Sequence, residues 1–456
     1  MSAIYIKELK SFFKSLFGWI FLAAFTFFAG VFFVLTNLNP GSEQGGSPYI
    51  ADSLGSLVTV LAFIVPIITM RVLAEEKRQK TDQLLLTSPI ALWKVIVGKF
   101  LSMATVMLIA TLIACVGIIV IAIYGTVPVP DTILSVIMFY ALACNLVAIG
   151  IFVSSITEYQ ILAGFLSVFI NVFILFVPAL IYNVLGEGPL VNVASYLYIY
   201  RPFSVGSSGI LDIADVIYTI SVTVIFLILA YKVFSKNSVQ VSAVGRNKYF
   251  ISNLIPFAVI VAIIAFNVGL IFIPTKFTQF DCTYNKIYSI SKTTKAILKE
   301  NTDDVTIFVF ASKESVDQRV KFYLNEYERA SDKIKVVYKN GIYEKKPSSL
   351  TIKVGDKSKD IDYSDLYEWE TYYFQSYISG FDIENEITSA IVSLKDETAN
   401  ITIPSKSLQY DNVIVKSEMI IFYAAMFCLV APVVLLVVGI MAVVFRKKIV
   451  ALLSRG

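Results

Sequence analysis

Histidine is absent from this 456-residue chain. That removes Ser–His and Cys–His nucleophile pairs, imidazole metal ligands and imidazole proton relays, so any catalysis would fall to carboxylates or lysines. Charge is scarce too. Asp, Glu, Lys and Arg make up 16% of the residues, against about 25% in an ordinary soluble domain. Cysteine is sparse and scattered: Cys115, Cys144 and Cys428 lie in apolar runs, and Cys282 stands alone in a polar region. No pair has C-x-x-C spacing, so neither a disulfide framework nor a cysteine zinc site is suggested. No G-x-x-x-x-G-K-[ST] stretch occurs, so nothing here is built to cradle ATP phosphates. Gly98-Lys99-Phe100 reads as a passing Gly–Lys with the wrong neighbours. The net charge of +4 is too small to argue for nucleic acid or another polyanionic partner.

What is present is apolar, with 57% hydrophobic residues. A spanning helix needs about 20 mostly apolar residues. Eight runs qualify, at about 16–36, 53–73, 95–124, 133–156, 159–185, 214–234, 251–273 and 419–445. They are apolar on every face, as membrane helices are. Ionisable residues are nearly absent from them, which argues against a proton-coupled pump or an ion channel. Ahead of the first run, Lys7, Lys10 and Lys14 recur at helical spacing beside Phe12, Phe13 and Leu16. This predicts an amphipathic helix over residues 1–15 lying in the membrane interface.

Sidedness follows from the basic residues. With the N-terminus inside, Arg71, Lys77, Arg78, Lys80 and Lys94, then Lys232, Lys236, Arg246 and Lys248, then Arg446, Lys447, Lys448 and Arg455 all fall on the cytoplasmic side. The short outer loops at 37–52, 125–132 and 186–213 hold Arg201 and no other basic residue. This is the positive-inside asymmetry, and it predicts two cytoplasmic termini in the cell membrane. The expected organisation is a six-helix unit at 16–234, a cytoplasmic linker at 235–250, a seventh helix at 251–273, an extracytoplasmic domain at 274–418, an eighth helix at 419–445 and a basic tail at 446–456.

Residues 274–418 are the one long polar segment, patterned as a small α/β domain. Val305–Phe310 and Ile334–Tyr338 read as strands around a helix from Glu314 to Ala330. Leu350–Val354 turns through Gly355-Asp356-Lys357 toward Ile361 as a hairpin. A last helix is expected over Ile383–Leu394. Strand–helix–strand order predicts a partly parallel sheet. Within it, Tyr363, Tyr367, Trp369, Tyr372 and Tyr373 alternate with acids. They form either a surface for an envelope protein or glycan, or an edge strand packed on its own core.

The most informative stretch runs from Met70 to Pro89, where the second helix leaves the membrane into a dense charged turn. Thr81 or Asp82 is placed to cap a short helix whose apolar side is Leu84, Leu85 and Leu86, ended by Pro89. By pattern alone this is either a solvated juxtamembrane turn or a surface on which a cytoplasmic motor pushes. The stretch resembles the coupling region of ABC-2 type permeases: paired acids, a Gly-Thr, an acid, then leucines before a proline. Glu75, Glu76, Thr81, Leu84, Leu85, Leu86 and Pro89 match, while Lys80 stands where glycine is usual and Gln83 where the acid is usual. Ser154 to Ala163 is similar to the tight turn between the fourth and fifth helices of that family. Residues 190–213, with Tyr196, Tyr198, Tyr200, Arg201 and Pro202, look like its outer re-entrant segment or, equally, an interfacial tyrosine belt.

The resemblance extends to the gliding-motility class, in some members of which the permease is fused to an auxiliary component with an extracytoplasmic domain. Phe280-Asp281-Cys282-Thr283-Tyr284-Asn285-Lys286-Ile287-Tyr288-Ser289-Ile290-Ser291 is similar to that component's opening, with Ser291 capping a helix from Lys292 to Leu298. Phe381–Leu394, Ile403–Leu408 and the last helix resemble later parts of it. A larger central region of the family is missing near Thr398–Ile401. The resemblance implies a permease without its own nucleotide site, with ATP and Mg on a separate ATPase subunit, and with a second permease copy and membrane lipids as further partners. It places ATPase coupling at Glu75, Glu76, Lys77, Arg78, Thr81, Asp82, Gln83, Leu84, Leu85 and Leu86, and a second cytoplasmic contact at Thr157 and Glu158. Three functions stay open: export, ATP-driven transmission of force to an envelope partner, and an ATP-independent scaffold or membrane enzyme. For a membrane-embedded enzyme, which needs acids clustered at an interface, Asp212 and Asp215 near the outer face are the only candidates, and they serve equally as a helix cap and a first-turn charge.

Overall fold

In hydrocarbon every backbone polar group must be bonded within its own segment, so runs this apolar fold as helices. The structure is a computed structural model that describes residues 1–39, 46–81, 90–185, 189–236, 246–301, 303–311, 316–339, 349–372, 375–396, 401–407 and 413–453. Among these, seven helices are long and apolar enough to cross a membrane: Leu16–Leu38, Ile50–Arg78, Leu92–Tyr124, Val129–Ile156, Gln160–Ile181, Ile213–Ser235 and Ser417–Val444. They are the first to sixth spans and the last span. The remaining expected span, at 251–273, is a single helix, Arg246–Ile271, apolar over its described stretch Leu254–Leu270. The count of long apolar spans is therefore seven among the described residues, and the eighth expected run is helical as well.

With lipid as apolar as leucine, such helices associate by close packing and polar contacts rather than by hydrophobic expulsion. The fourth span is the hub, packing against the second, third, fifth and sixth. At Gly150 a Cβ would meet the Thr69 hydroxyl at 2.1 Å, so only glycine lets the second and fourth spans approach this closely. The two helices flanking the polar domain dock on different spans. Arg246–Ile271 lies along the sixth, where Asn267 Nδ2 donates to Ser221 Oγ at 2.8 Å. The last span lies along the first, with the Phe427 and Phe33 rings 5.9 Å apart.

The polar domain holds a four-stranded sheet of order β4-β3-β5-β6, with β3 Val305–Val309, β4 Ile334–Tyr338, β5 Ser349–Val354 and β6 Lys357–Asp362. β3 runs parallel to β4 through the crossing helix Gln318–Ala330 and antiparallel to β5, giving the partly parallel sheet expected. β5 and β6 form the hairpin through Gly355, whose φ of 59° lies in the left-handed region. The crossing helix begins at Gln318 rather than Glu314, because the Asp317 side chain accepts from Arg319 N and caps it there. Ile383–Lys395 and Lys292–Glu300 complete the domain, the latter capped by Ser291 as expected. A second sheet, β7-β8-β9, is built from Tyr367–Tyr372, Gln375–Phe381 and Lys406–Ser407.

The domain is tied to the helical bundle by a third, two-stranded sheet. β1, Ile210–Asp212, lies just before the sixth span and pairs antiparallel with β2, Gln279–Asp281. Gly209 makes the turn into β1 at φ 82° and packs on Asp131, where a Cβ would meet Oδ1 at 2.4 Å. Its carbonyl accepts from Cys282 N at 2.9 Å, and Asp131 Oδ2 accepts from Tyr284 N at 3.1 Å.

Candidate functional site

The charged exit of the second span is built into the bundle rather than left in solvent. Helix Ile50–Thr69 breaks at Met70 and resumes as the short helix Ala74–Arg78. The break strands backbone groups that must find partners. Ser154, fully buried at the end of the fourth span, supplies them: its hydroxyl accepts from Leu73 N and Ala74 N, both at 3.0 Å, and donates to Met70 O at 3.1 Å. Lys77 Nζ donates to Ser155 O, which closes the same contact from the other side. Thr157 is taken up in its own turn, accepting from Tyr159 N at 3.1 Å.

Glu75 and Glu76 occupy the first turn of the short helix, and Lys77 and Arg78 its last, an arrangement the helix dipole favours. The helix ends in a Schellman motif. Thr81 N bonds to Glu76 O and Lys80 N to Lys77 O, both at 3.0 Å, with Lys80 left-handed at φ 56°. That geometry explains why the resembling pattern has glycine at this position. Lys80→Gly is expected to stabilise the turn by about 1 kcal/mol, read as a small rise in melting temperature. Asp82, Gln83, Leu84, Leu85, Leu86 and Pro89 lie outside the described residues.

Beneath this turn sits the residue that sequence reasoning passed over. Lys99 in the third span is 2% exposed. Its ammonium lies 2.9 Å from Glu8 Oε1, 2.8 Å from Glu76 Oε1 and 2.9 Å from the Val72 carbonyl. Glu8 belongs to the N-terminal helix Ser2–Lys14, so one buried cation joins that helix, the second-span exit and the third span. A lone lysine in an apolar run requires a partner at nearly any depth. The two acids at the same end of the bundle were the signal that could have found it.

At the opposite end, Gln279 carries the junction to the polar domain. Its Nε2 donates to Asp212 Oδ2 at 3.1 Å, its Oε1 accepts from Asn325 Nδ2 at 3.1 Å, and its carbonyl accepts from Arg329 Nη2 at 3.1 Å. Asp212 also caps the sixth span by accepting from Ala214 N at 2.9 Å, while Asp215 pairs with Arg201 at 3.7 Å. The two acids thus serve as cap and first-turn partner, not as a paired reaction centre.

Between its two ends the bundle holds buried neutral amides and hydroxyls. Thr223 of the sixth span donates to Asn145 Oδ1 of the fourth at 2.6 Å. Asn171 of the fifth is fully buried, and neither its Nδ2 nor its Oδ1 has a partner among the described residues. An unsatisfied amide in such surroundings costs roughly 2–7 kcal/mol, so Asn171→Leu is expected to raise thermal stability in a melt of the purified protein. A fall would show that the amide is bonded.

In the polar domain the aromatic stretch is only partly displayed. Trp369 is 53% exposed, whereas Tyr363 and Tyr367 are half-buried against the core and the Tyr367 ring lies 5.8 Å from Phe381. Nothing is described of the Tyr372 side chain or of Tyr373. Three of the four segments that carry the auxiliary-component resemblance converge on buried Glu384. Its Oε1 accepts from Ser291 N at 2.7 Å and Thr294 Oγ1 at 2.5 Å, and its Oε2 lies 3.1 Å from Lys406 Nζ. Lys406 also donates to Ser289 O. No group of three or more carboxylates and cysteines is placed to hold a metal among the described residues.

The family described as ABC-2 family transporter protein matches residues 2–239, just over half of the chain. A domain family of unknown function matches residues 284–365, the first part of the polar domain. Comparison with curated proteins gives no match.

Proposed function

Because the chain belongs to the ABC-2 transporter family, as a multi-pass membrane permease subunit, we propose that it couples ATP hydrolysis by a separate ATPase subunit to export across the cell membrane. The ATPase, carrying ATP and Mg, binds the exit turn at 71–94 with Thr157 and Glu158 alongside. Two permease copies pair, and both termini share the ATPase side while 274–418 lies on the other. The observation that carries this reading is the bracing of the exit turn. Ser154 and Lys99 fasten it to the fourth and third spans, so a push on Ala74–Arg78 moves helices instead of bending a loop. A ligand shifts a conformational equilibrium only by its differential contact with the two states, and a rigid exit turn provides that difference.

The test uses residues outside the lysine node. Glu75→Lys with Arg78→Glu reverses the charges presented by the short helix while leaving Glu76 and Lys99 paired. Co-purification of a co-expressed ATPase subunit is expected to be lost, and stimulated ATP hydrolysis to fall at least tenfold, with little change in melting temperature. Retained binding and hydrolysis would overturn the coupling assignment.

The junction at Gln279 favours a second reading, transmission of movement to an envelope protein or glycan, as the gliding-motility resemblance suggests. The sixth span, β1, β2 and the helix Gln318–Ala330 meet at Gln279, through its side chain, its carbonyl and the β1–β2 pairing. Deleting residues 278–412 separates the two. An exporter keeps substrate-stimulated ATP hydrolysis, whereas a transmitter hydrolyses ATP but loses its effect on the cell.

A further inference from the structure

The N-terminal helix Ser2–Lys14 turns Leu9, Phe12 and Phe13 toward the bundle core and leaves Lys7, Lys10 and Lys14 exposed on its other side. These three lysines, with Ser11 and Ser15, line an open groove of about 540 Å³. None of the three forms an ion pair among the described residues, and the one acid of the helix, Glu8, is turned away and held by Lys99. The groove therefore presents unopposed positive charge with two hydroxyls. It opens beside Leu16, Phe17 and Ile20 at the start of the first span, all of them large and exposed. Charge next to exposed apolar surface matches a molecule with a phosphate at one end and hydrocarbon at the other. A soluble phosphate ester would use only half of this surface.

We propose that this groove binds the phosphate-bearing headgroup of an anionic phospholipid, with its acyl chains along Leu16, Phe17 and Ile20, and that occupancy is read at the exit turn. The path is short: Glu8 lies on the same helix as the lysines, and Lys99 bridges Glu8 to Glu76. Fixing the helix on a lipid fixes Glu8, and with it the position of Lys99 against the segment proposed to meet the ATPase. The regulatory half rests on that coupling assignment; the binding half does not.

The binding experiment reconstitutes the full chain in vesicles and measures association of spin-labelled phosphatidylglycerol against spin-labelled phosphatidylcholine. Wild type is expected to prefer phosphatidylglycerol several-fold. Lys7→Gln, Lys10→Gln and Lys14→Gln together are expected to abolish the preference at unchanged melting temperature, whereas the same change at exposed Lys335, Lys353 and Lys357 leaves it intact. Equal preference in wild type and the N-terminal triple variant overturns the site. Displacement of the labelled lipid by inorganic phosphate would make it an anion site and overturn the lipid assignment. The second experiment compares ATP hydrolysis by the complex in phosphatidylcholine vesicles with and without phosphatidylglycerol. Stimulation is expected in wild type and lost in Glu8→Gln, which still binds the lipid. Equal stimulation of both overturns the relay. If this chain does not affect hydrolysis at all, the coupling assignment fails while the binding result stands.

Discussion

Replacing Lys99 by Met is expected to be the most damaging single change in the membrane half of this protein. Two carboxylates converge on one ammonium here, and Glu8 and Glu76 are only 18% and 14% exposed. Removing the cation leaves both acids buried, facing each other, with the Val72 carbonyl short of a donor. Breaking a buried ion pair by removing one partner typically costs about 3–5 kcal/mol, because an uncompensated charge stays behind. Loss at the upper end of that range is expected, since two charges are abandoned rather than one. A fall of several degrees in the melting temperature of the detergent-purified chain, with loss of ATPase stimulation, is the expected readout. The triple change Lys99→Met, Glu8→Gln and Glu76→Gln removes every charge of the node. It is expected to recover most of the stability while leaving stimulation low, since the joint is gone. If Lys99→Met alone melts like wild type, the three groups are not held together as described.

How much of this could be read beforehand depends on range along the chain. The apolar runs specify helices because a lipid-facing backbone has no alternative, and each expected run is matched by a helix. The Ser291 cap, the hairpin at Gly355 and the helix from Ile383 are equally legible, because each depends on a few neighbouring residues. Gln318 as the true start of the crossing helix was missed for a local reason: Asp317 competes with residues before it as a cap, and the stronger cap wins.

The long-range joints were not legible. Lys99 lies 91 residues from Glu8, and Gln279 lies 67 from Asp212. No periodicity links such pairs; only the packing of the helices brings them together. Lys80 shows the intermediate case. Its left-handed backbone is invisible in the residue itself, since lysine has no preference for it, and it becomes apparent only from the i→i+5 bond of Thr81 to Glu76. The charge of the exit turn is local and legible, while its bracing comes from two spans that the turn's own sequence does not mention.

Glu384 provides the largest expected effect in the polar domain, and its sign with pH can be worked out. Burial raises a carboxyl pKa, but bonds from the Ser291 hydroxyl and amide and from Thr294, with the Lys406 ammonium beside it, outweigh burial and hold Glu384 below the usual glutamate value. A group with a lowered folded pKa contributes stability above its unfolded value, near 4.5, and that contribution is lost as pH falls through the folded value. Acidification is therefore expected to loosen this domain below about pH 4.5, ahead of the bundle, where charge is sparse. Glu384→Ala should produce the same loosening at neutral pH. It takes the carboxylate from part-buried Lys406, which keeps the Ser289 carbonyl, and leaves the Ser291 amide without its acceptor, a loss at the lower end of the roughly 3–5 kcal/mol for a broken buried pair. Hydrogen exchange in the full-length protein is the direct measurement. Amides of 283–291 are expected to exchange much faster in the variant and those of 403–407 faster too, because Glu384 ties both segments to the helix Ile383–Lys395, where Asn385 Oδ1 still accepts from Ile403 N at 2.9 Å. The contrast with Lys406→Met sharpens the assignment. That variant removes the cation but keeps the Ser291 and Thr294 bonds, so it should weaken 403–407 while protection at 287–291 largely persists. Uniform loosening in both variants would mean that the domain unfolds as one unit and that Glu384 is one core residue among many.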